Sequence, residues 1–230
     1  MKIKTPLVVA LAGLLMFSKA MALQVTMQTY AAGANGNYRA DPSADLEWVL
    51  NNYNNGLSKF TDAKGNTWFG TFCLEADEYF TPGATYDVVI NTQANNGGTN
   101  TNSGDPLSVG TAFLYENFVR GTLSGLTSFT YNNANSSLDL QKAIWWLENE
   151  STGSLTAAFS TLLTNTFGST SAARANYTGS SVRVMNLTSD GGRTLNQDQL
   201  VFVPDGGWTA VLLGLGLVLL ALIKGRNTFR

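Results

Sequence analysis

The stretch Val109–Arg120, VGTAFLYENFVR, is where the chain changes from strand patterns to helix patterns. Ala112, Phe113 and Val119 follow Val109 at spacings that bring them near one face of an α-helix. Gly121 comes directly after this stretch and is typical of a helix C-terminus. We therefore expect a helix here.

Two further helical stretches follow. Ser136 precedes Asp139 by three residues, an arrangement similar to a capping box, and it predicts a helix from Ser136 to about Glu148. Ser154 is expected to cap the next helix, whose apolar stripe lies within residues 155–163.

Strand patterns lie on both sides of this helical region. β-branched and aromatic residues indicate strands at 24–29, 67–75 and 85–91 before it, and at 181–187 and 199–203 after it. Strands, then helices, then strands predict an α+β domain in which an antiparallel β-sheet or barrel carries a helical insertion.

Two segments between the early strands have other patterns. Asp41-Pro42 is typical of a helix N-terminus and predicts a helix over 45–52. Residues 92–106, TQANNGGTNTNSGDP, have no periodicity and predict a flexible surface loop.

The composition excludes several classes of protein. The 230 residues contain no histidine, which excludes Ser-His-Asp and Cys-His catalysis and His-ligated metals. A single cysteine excludes intramolecular disulfides and Cys-rich zinc sites. We expect no cofactor and no metal. Residues 23–207 hold all 16 acidic residues but only 8 of the 14 basic ones, so a nucleic-acid partner is not expected.

The N-terminus has the pattern of a secretory signal peptide. Lys2 and Lys4 precede an apolar run at 6–17, and Ala20-Met21-Ala22 fits a small-x-small cleavage site. We expect residues 1–22 to be removed, so that the exported chain begins at Leu23.

The C-terminus combines a short motif, an apolar helix and a basic tail. Val203-Pro204-Asp205-Gly206-Gly207 precedes the apolar segment 208–223, which is expected to form a transmembrane helix, and the basic tail 224–230 is expected to stay cytoplasmic. This order resembles the VPDSG variant of the PEP-CTERM sorting signals, with Gly206 in place of serine. The resemblance implies processing by an exosortase: the inner membrane retains the chain temporarily, and the body then passes to the cell surface or extracellular matrix. The predicted boundaries are therefore 1–22 for the signal peptide, 23–202 for the ectodomain and 203–230 for the sorting signal.

The single cysteine lies within the strand pattern of 67–75, TWFGTFCLE. A lone cysteine is most often a small buried apolar residue. In an exported chain, however, an unpaired thiol is exposed to oxidation, and it suggests intermolecular pairing or a reactive role. Gln141, in Leu140-Gln141-Lys142-Ala143-Ile144-Trp145-Trp146, is by itself consistent with a surface residue or a satisfied core amide.

Taken together, Phe72-Cys73-Leu74 and the Gln141 segment resemble the thioester domains of bacterial surface adhesins. That family has an aromatic or apolar residue before its cysteine and, much later, an apolar-Gln-x-x-apolar-apolar motif on a helix. The resemblance implies a thioester between the Cys73 sulfur and the Gln141 acyl group, and covalent capture of an amine on a partner surface or matrix. It also implies a single-use trap rather than a turnover enzyme.

Thioester chemistry needs a dry site, because water hydrolyses the bond. The apolar neighbours of the two motifs would supply this shield: Phe72, Ile144, Trp145 and Trp146.

Two other functions use residues in the same segments. Glu75, Asp77 and Glu78 could serve glycoside hydrolysis or bind calcium, but carboxylates at a strand end are usually solvated. Trp48, Trp68, Trp145 and Trp146 could form a platform for sugar stacking, although tryptophans at helical positions are more often core. The alternative function is therefore a non-covalent structural or carbohydrate-binding protein of the surface or matrix, with a glycosidase as a third class.

Overall fold

A computed structural model describes residues 23–29, 38–95, 104–151 and 153–203. Within these ranges the protein is a mixed structure of antiparallel strands and a few helices, as the sequence predicts at this level. The strands are β1 (Leu23–Thr29), β2 (Tyr38–Pro42), β3 (Lys59–Thr61), β4 (Thr67–Thr71), β5 (Thr85–Asn91), β6 (Gln93–Ala94), β7 (Asp105–Pro106), β8 (Val182–Ser189) and β9 (Thr194–Phe202). The α-helices are α1 (Val109–Arg120), α2 (Leu123–Leu126), α3 (Ala134–Leu147) and α4 (Ala157–Phe167), and 3-10 helices cover Glu47–Asn52 and Ala172–Arg174.

Seven strands form one sheet in the order β3-β4-β2-β1-β5-β8-β9, and every neighbouring pair is antiparallel. In the central strand β1, Val25 and Met27 alternate with more exposed residues and are completely buried. This alternation places one face of β1 in the core. The helices lie between β7 and β8 in the chain, and α1 packs against β8, β9 and α3.

The chain that follows β4 crosses to the far end of the sheet. Leu200 N donates to Phe72 O at 3.0 Å, Leu74 N donates to Asp198 O at 3.1 Å, and Cys73 pairs with Gln199 in an antiparallel bridge. Because β9 is the last strand of the sheet, these bonds bring the end of β4 against an edge strand. They fix the backbone of Cys73 on both sides.

Several predicted boundaries are wrong, each because another interaction competes locally. Asp41 and Pro42 do not begin a helix but end β2, which pairs with β1 along its length, and the helical segment predicted at 45–52 is a 3-10 helix at Glu47–Asn52. Asn133, not Ser136, caps α3, because its side chain accepts from Ser136 N. Thr156, not Ser154, caps α4. The segment predicted as a loop contains the small β6–β7 pair.

The predictions for the two ends of the chain fall outside the described residues. Residues 1–22 and 204–230, which include the predicted signal peptide and transmembrane helix, lie outside the described ranges. Of the sorting motif, only Val203 is described, directly after β9. No helix in the described ranges is both long and apolar enough to cross a membrane.

Candidate functional site

Cys73 lies in the short segment that joins the end of β4 to β9. Its side chain is completely buried, and no intramolecular disulfide is possible in a chain with one cysteine. The backbone bonds of Phe72 and Leu74 to β9 leave the N–H and C=O of Cys73 itself pointing away from that strand. Two backbone groups of one buried residue therefore need partners elsewhere.

Gln141 occupies the buried face of α3. Leu140, Ile144 and Leu147 form the apolar part of that face, and Gln141 is as completely buried as they are. An amide in such surroundings is costly to bury unless its carbonyl and NH2 groups are hydrogen-bonded. The position of Gln141 therefore requires a specific polar partner.

The backbone of Cys73 and the carboxamide of Gln141 are hydrogen-bond partners of each other. Cys73 N donates to Gln141 Oε1 at 3.1 Å, and Gln141 Nε2 donates to Cys73 O at 2.8 Å. The structure thus brings together the two residues, 68 positions apart, that the sequence predicts to react. The paired bonds hold the carboxamide of Gln141 against the residue that carries the thiol, and the Cys73 N–H polarises the carbonyl.

The thiol of Cys73 lies in an apolar and partly aromatic environment. Burial is the main cause that raises the pKa of the Cys73 thiol well above its ordinary value, and the charge of Glu75 adds to it. The Trp145 indole and the Tyr38 hydroxyl, both beside the thiol, act in the opposite direction. Trp145 Nε1 is buried and makes no well-formed hydrogen bond within the described part of the chain. A donor is therefore available beside the thiol.

The four residues predicted as an apolar shield have different surroundings. Ile144 is completely buried, and with Trp145 it lies three and four positions after Gln141, on the same side of α3. Phe72 is completely buried and packs edge-on against Phe118, with ring centroids 5.1 Å apart.

Trp146 faces another neighbour. The Arg174 guanidinium lies 3.6 Å from the centroid of the Trp146 ring, and Arg174 Nη2 donates to Trp146 O. This indole is partly buried against the core and carries the Arg174 guanidinium on its ring. Trp68, a member of the predicted sugar platform, is only 7% exposed and stacks on Phe60.

Tyr38 is a site residue that the sequence analysis missed. In the β2–β4 register Tyr38 is opposite Thr71, two residues before Cys73, so it lies on the thiol's side of the sheet. Its ring is half-buried and packs edge-on against Phe80, with centroids 5.0 Å apart. No local pattern marks this residue, because only the strand pairing brings it to the cysteine.

Of the acidic residues beside the cysteine, only Asp77 is solvated as expected. Asp77 is exposed, whereas Glu75 is only 1% exposed and Glu78 is intermediate. The solvated-cluster interpretation is therefore wrong for Glu75. Burial, followed by the charges of Asp198 and Glu78, raises the pKa of Glu75 to about 10.

Compared with known proteins, the chain matches no family model, no curated protein and no solved structure.

Proposed function

We propose that this protein forms an internal thioester between Cys73 and Gln141 and uses it to capture an amine covalently. The observation that carries the proposal is the reciprocal pair of hydrogen bonds between the Gln141 carboxamide and the Cys73 backbone, inside a completely buried site. The alternative, in which Gln141 is only a satisfied core amide, uses the same two bonds. Only a test of covalent reactivity therefore distinguishes the two interpretations.

Thioester formation needs one bond to form and one to break. The Cys73 sulfur attacks the Gln141 carbonyl carbon, the carbon–nitrogen bond breaks, and the thiol proton leaves with the amide NH2 as ammonia. The Cys73 N–H, which already donates to Oε1, stabilises the negative charge that develops on this oxygen. The buried Trp145 N–H is a second donor in the same region.

Amine capture reverses thioester formation, except that the partner's amine takes the place of ammonia. A primary amine attacks the same carbonyl carbon, the carbon–sulfur bond breaks, and the sulfur takes up the proton that the amine loses. The product is a stable amide on Gln141 and a free thiol on Cys73. The reaction occurs once for each molecule, so we do not propose a turnover enzyme.

The proposed setting is outside the cell. Residues 1–22 would direct export, and residues 203–230 would hold the chain at the inner membrane until an exosortase-type enzyme removed the tail. The body would then act at the cell surface or in the extracellular matrix, where amines on neighbouring proteins or polymers are its partners. The second candidate function is a non-covalent structural or carbohydrate-binding role at the same location.

Labelled methylamine tests the capture step directly. The full-length chain is incubated with the amine near neutral pH and digested, and its peptides are mapped by mass spectrometry. We expect the label on Gln141 and one new titratable thiol, on Cys73, for each label incorporated. Cys73→Ala should abolish labelling, and Gln93→Ala, which changes an exposed glutamine, should leave it unchanged. Absence of label from wild type, or labelling that persists in Cys73→Ala, would contradict the proposal.

A further inference from the structure

Three carboxylates converge beside the cysteine segment. One oxygen each of Glu75, Glu78 and Asp198 lies within 4.8 Å of the other two. Glu75 and Glu78 follow Cys73 in the chain, and Asp198 lies on β9, whose backbone accepts from Leu74 N. Clusters of acidic side chains are common on protein surfaces, so their proximity alone does not define a site.

The second observation is the state of Glu75. This side chain is only 1% exposed, and neither of its buried carboxylate oxygens has a well-formed hydrogen bond within the described part of the chain. No lysine or arginine in the described ranges pairs with Glu75 or Asp198. A buried carboxylate with neither donors nor a counter-charge is strongly disfavoured, so Glu75 is neutralised either by a proton, as its raised pKa indicates, or by a bound cation.

A neutral oxygen beside the cluster also lacks a donor within the described residues. The Asn186 amide donates from Nδ2 to Asp198 Oδ2 at 2.9 Å, yet its buried Oδ1 has no partner in the described chain. The region therefore has an excess of acceptors, which is what a cation requires and what a bound anion or a peptide carbonyl could not use.

Hydrogen bonds hold the Asp198 carboxylate in a fixed orientation, as a cation ligand requires. Asn95 N donates to its Oδ2 at 2.6 Å and Leu187 N donates to its Oδ1 at 3.3 Å. The carboxylate is thus oriented by two backbone groups, as ligands in metal sites commonly are, and Oδ1, which accepts from Leu187 N alone, retains a lone pair.

We propose that Glu75, Glu78 and Asp198 bind a calcium ion. Carboxylate and amide oxygens are hard ligands, and the chain has no histidine and places no thiol in the cluster. Calcium–oxygen distances of about 2.3–2.6 Å place opposite ligands about 4.6–5.2 Å apart, which accommodates the observed spacing. The ion would tie the segment after Cys73 to β9, and so would help to fix the Cys73 backbone.

Calcium titration of the full-length chain tests this site. The chain is treated with EDTA, dialysed, and titrated with calcium chloride by calorimetry, with its Tm measured in parallel. We expect binding at one site and a Tm rise of about 5–10 °C at a hundredfold excess over Kd. Absence of a calcium-dependent heat and Tm shift would overturn the proposal.

Three variants make the result specific. Glu75→Gln should lose the calcium response and, in EDTA, melt at or above the wild-type temperature, because the amide is neutral at every pH and needs no proton to be buried. Asp77→Asn, a matched change at an exposed acid of the same segment, should keep the full response. Cys73→Ala should also keep it, because this variant removes the thioester but no ligand. An equal calcium shift in Glu75→Gln would contradict the assignment.

Discussion

At Cys73, the backbone rather than the side chain holds the partner glutamine. Both polar atoms of the Gln141 carboxamide bond to the main chain of Cys73. The arrangement positions the carbonyl carbon without using the atom that attacks it. Folding and reaction therefore depend on different atoms of the same residue.

Cys73→Ala and Gln141→Ala both prevent a thioester, but only Gln141→Ala removes the two hydrogen bonds to the Cys73 backbone, so we expect the two substitutions to differ in their effect on stability. Gln141→Ala in a Cys73→Ala background leaves a buried N–H and a buried C=O unsatisfied, at about 1–3 kcal/mol for each group. Urea unfolding should therefore show the double variant to be about 2–6 kcal/mol less stable than Cys73→Ala alone. Gln93→Ala in the same background serves as the control. Equal stability of the double variant and Cys73→Ala would show that the two hydrogen bonds do not form.

We expect Tyr38 to limit the access of water and amines to the Cys73 thiol. Its half-buried ring lies beside Cys73, so Tyr38→Ala should open a path for water and amines. We expect methylamine labelling to accelerate by about tenfold, equivalent to about 1.4 kcal/mol in the barrier. Tyr79→Ala removes a tyrosine that is 78% exposed and should leave the rate unchanged. A rate unaffected by Tyr38→Ala would place the route to the thiol elsewhere.

At the scale of elements, a buried carboxylate joins the end of α3 to the start of α1. Glu148, directly after α3, accepts from Ser108 N at 3.2 Å and from Ser108 Oγ at 2.8 Å, and Ser108 caps α1. Burial raises the pKa of Glu148 to about 7, although the Ser108 bonds oppose this rise. The helix that carries Gln141 is thus coupled to its neighbour by a group that titrates near neutrality.

The raised pKa predicts a pH dependence of stability. The folded chain binds the Glu148 proton more tightly than the unfolded chain does, so this contribution is complete below about pH 4.5 and is lost as the pH rises through about 7. Over that window the wild type should lose about 3 kcal/mol relative to Glu148→Gln, which retains an acceptor for Ser108. Urea unfolding at several pH values, in EDTA, measures the difference. Glu47→Gln, at an exposed site, should follow the wild type, and parallel curves for wild type and Glu148→Gln would contradict this prediction.

The elements themselves differ in how far the sequence predicts them. The bounds of β5 and α1 agree with their patterns, because apolar periodicity and the Gly121 terminus act locally. At Gly121 the φ angle of 77° also explains the choice of glycine. Asp41-Pro42 misled the prediction because pairing with β1 outweighs a local helix signal, and propensity is only a weak prior against such tertiary contacts.

At the scale of the molecule, the candidate site is non-local. The contact between Cys73 and Gln141 joins a strand end to a helix, and no periodicity in either segment specifies it; the expectation rested on a resemblance. The burial of Glu75 was not predictable either, because it depends on β9 crossing beside the cysteine segment. Patterns in the sequence predict the elements, whereas the sheet pairing determines which side chains meet.

The proposed sorting of the whole chain leads to a separate prediction. Replacing residues 203–207 by alanine should leave the protein in the membrane fraction, because the processing enzyme would no longer recognise the tail. Cell fractionation and immunoblotting measure this distribution, with Cys73→Ala as a control that should be sorted normally. Unchanged release of the 203–207 variant would contradict the proposed role of the motif.

The intact mass of the full-length chain distinguishes a Cys73–Gln141 thioester from an unreacted pair. The protein is purified near neutral pH without amines, beside its Cys73→Ala and Gln141→Ala variants. If the thioester forms, we expect the wild-type mass to be lower than the mass calculated from its sequence by one ammonia, with no titratable thiol. Both variants should have the mass calculated from their sequences. A wild-type chain of full mass, with one thiol that titrates after unfolding, would contradict the thioester.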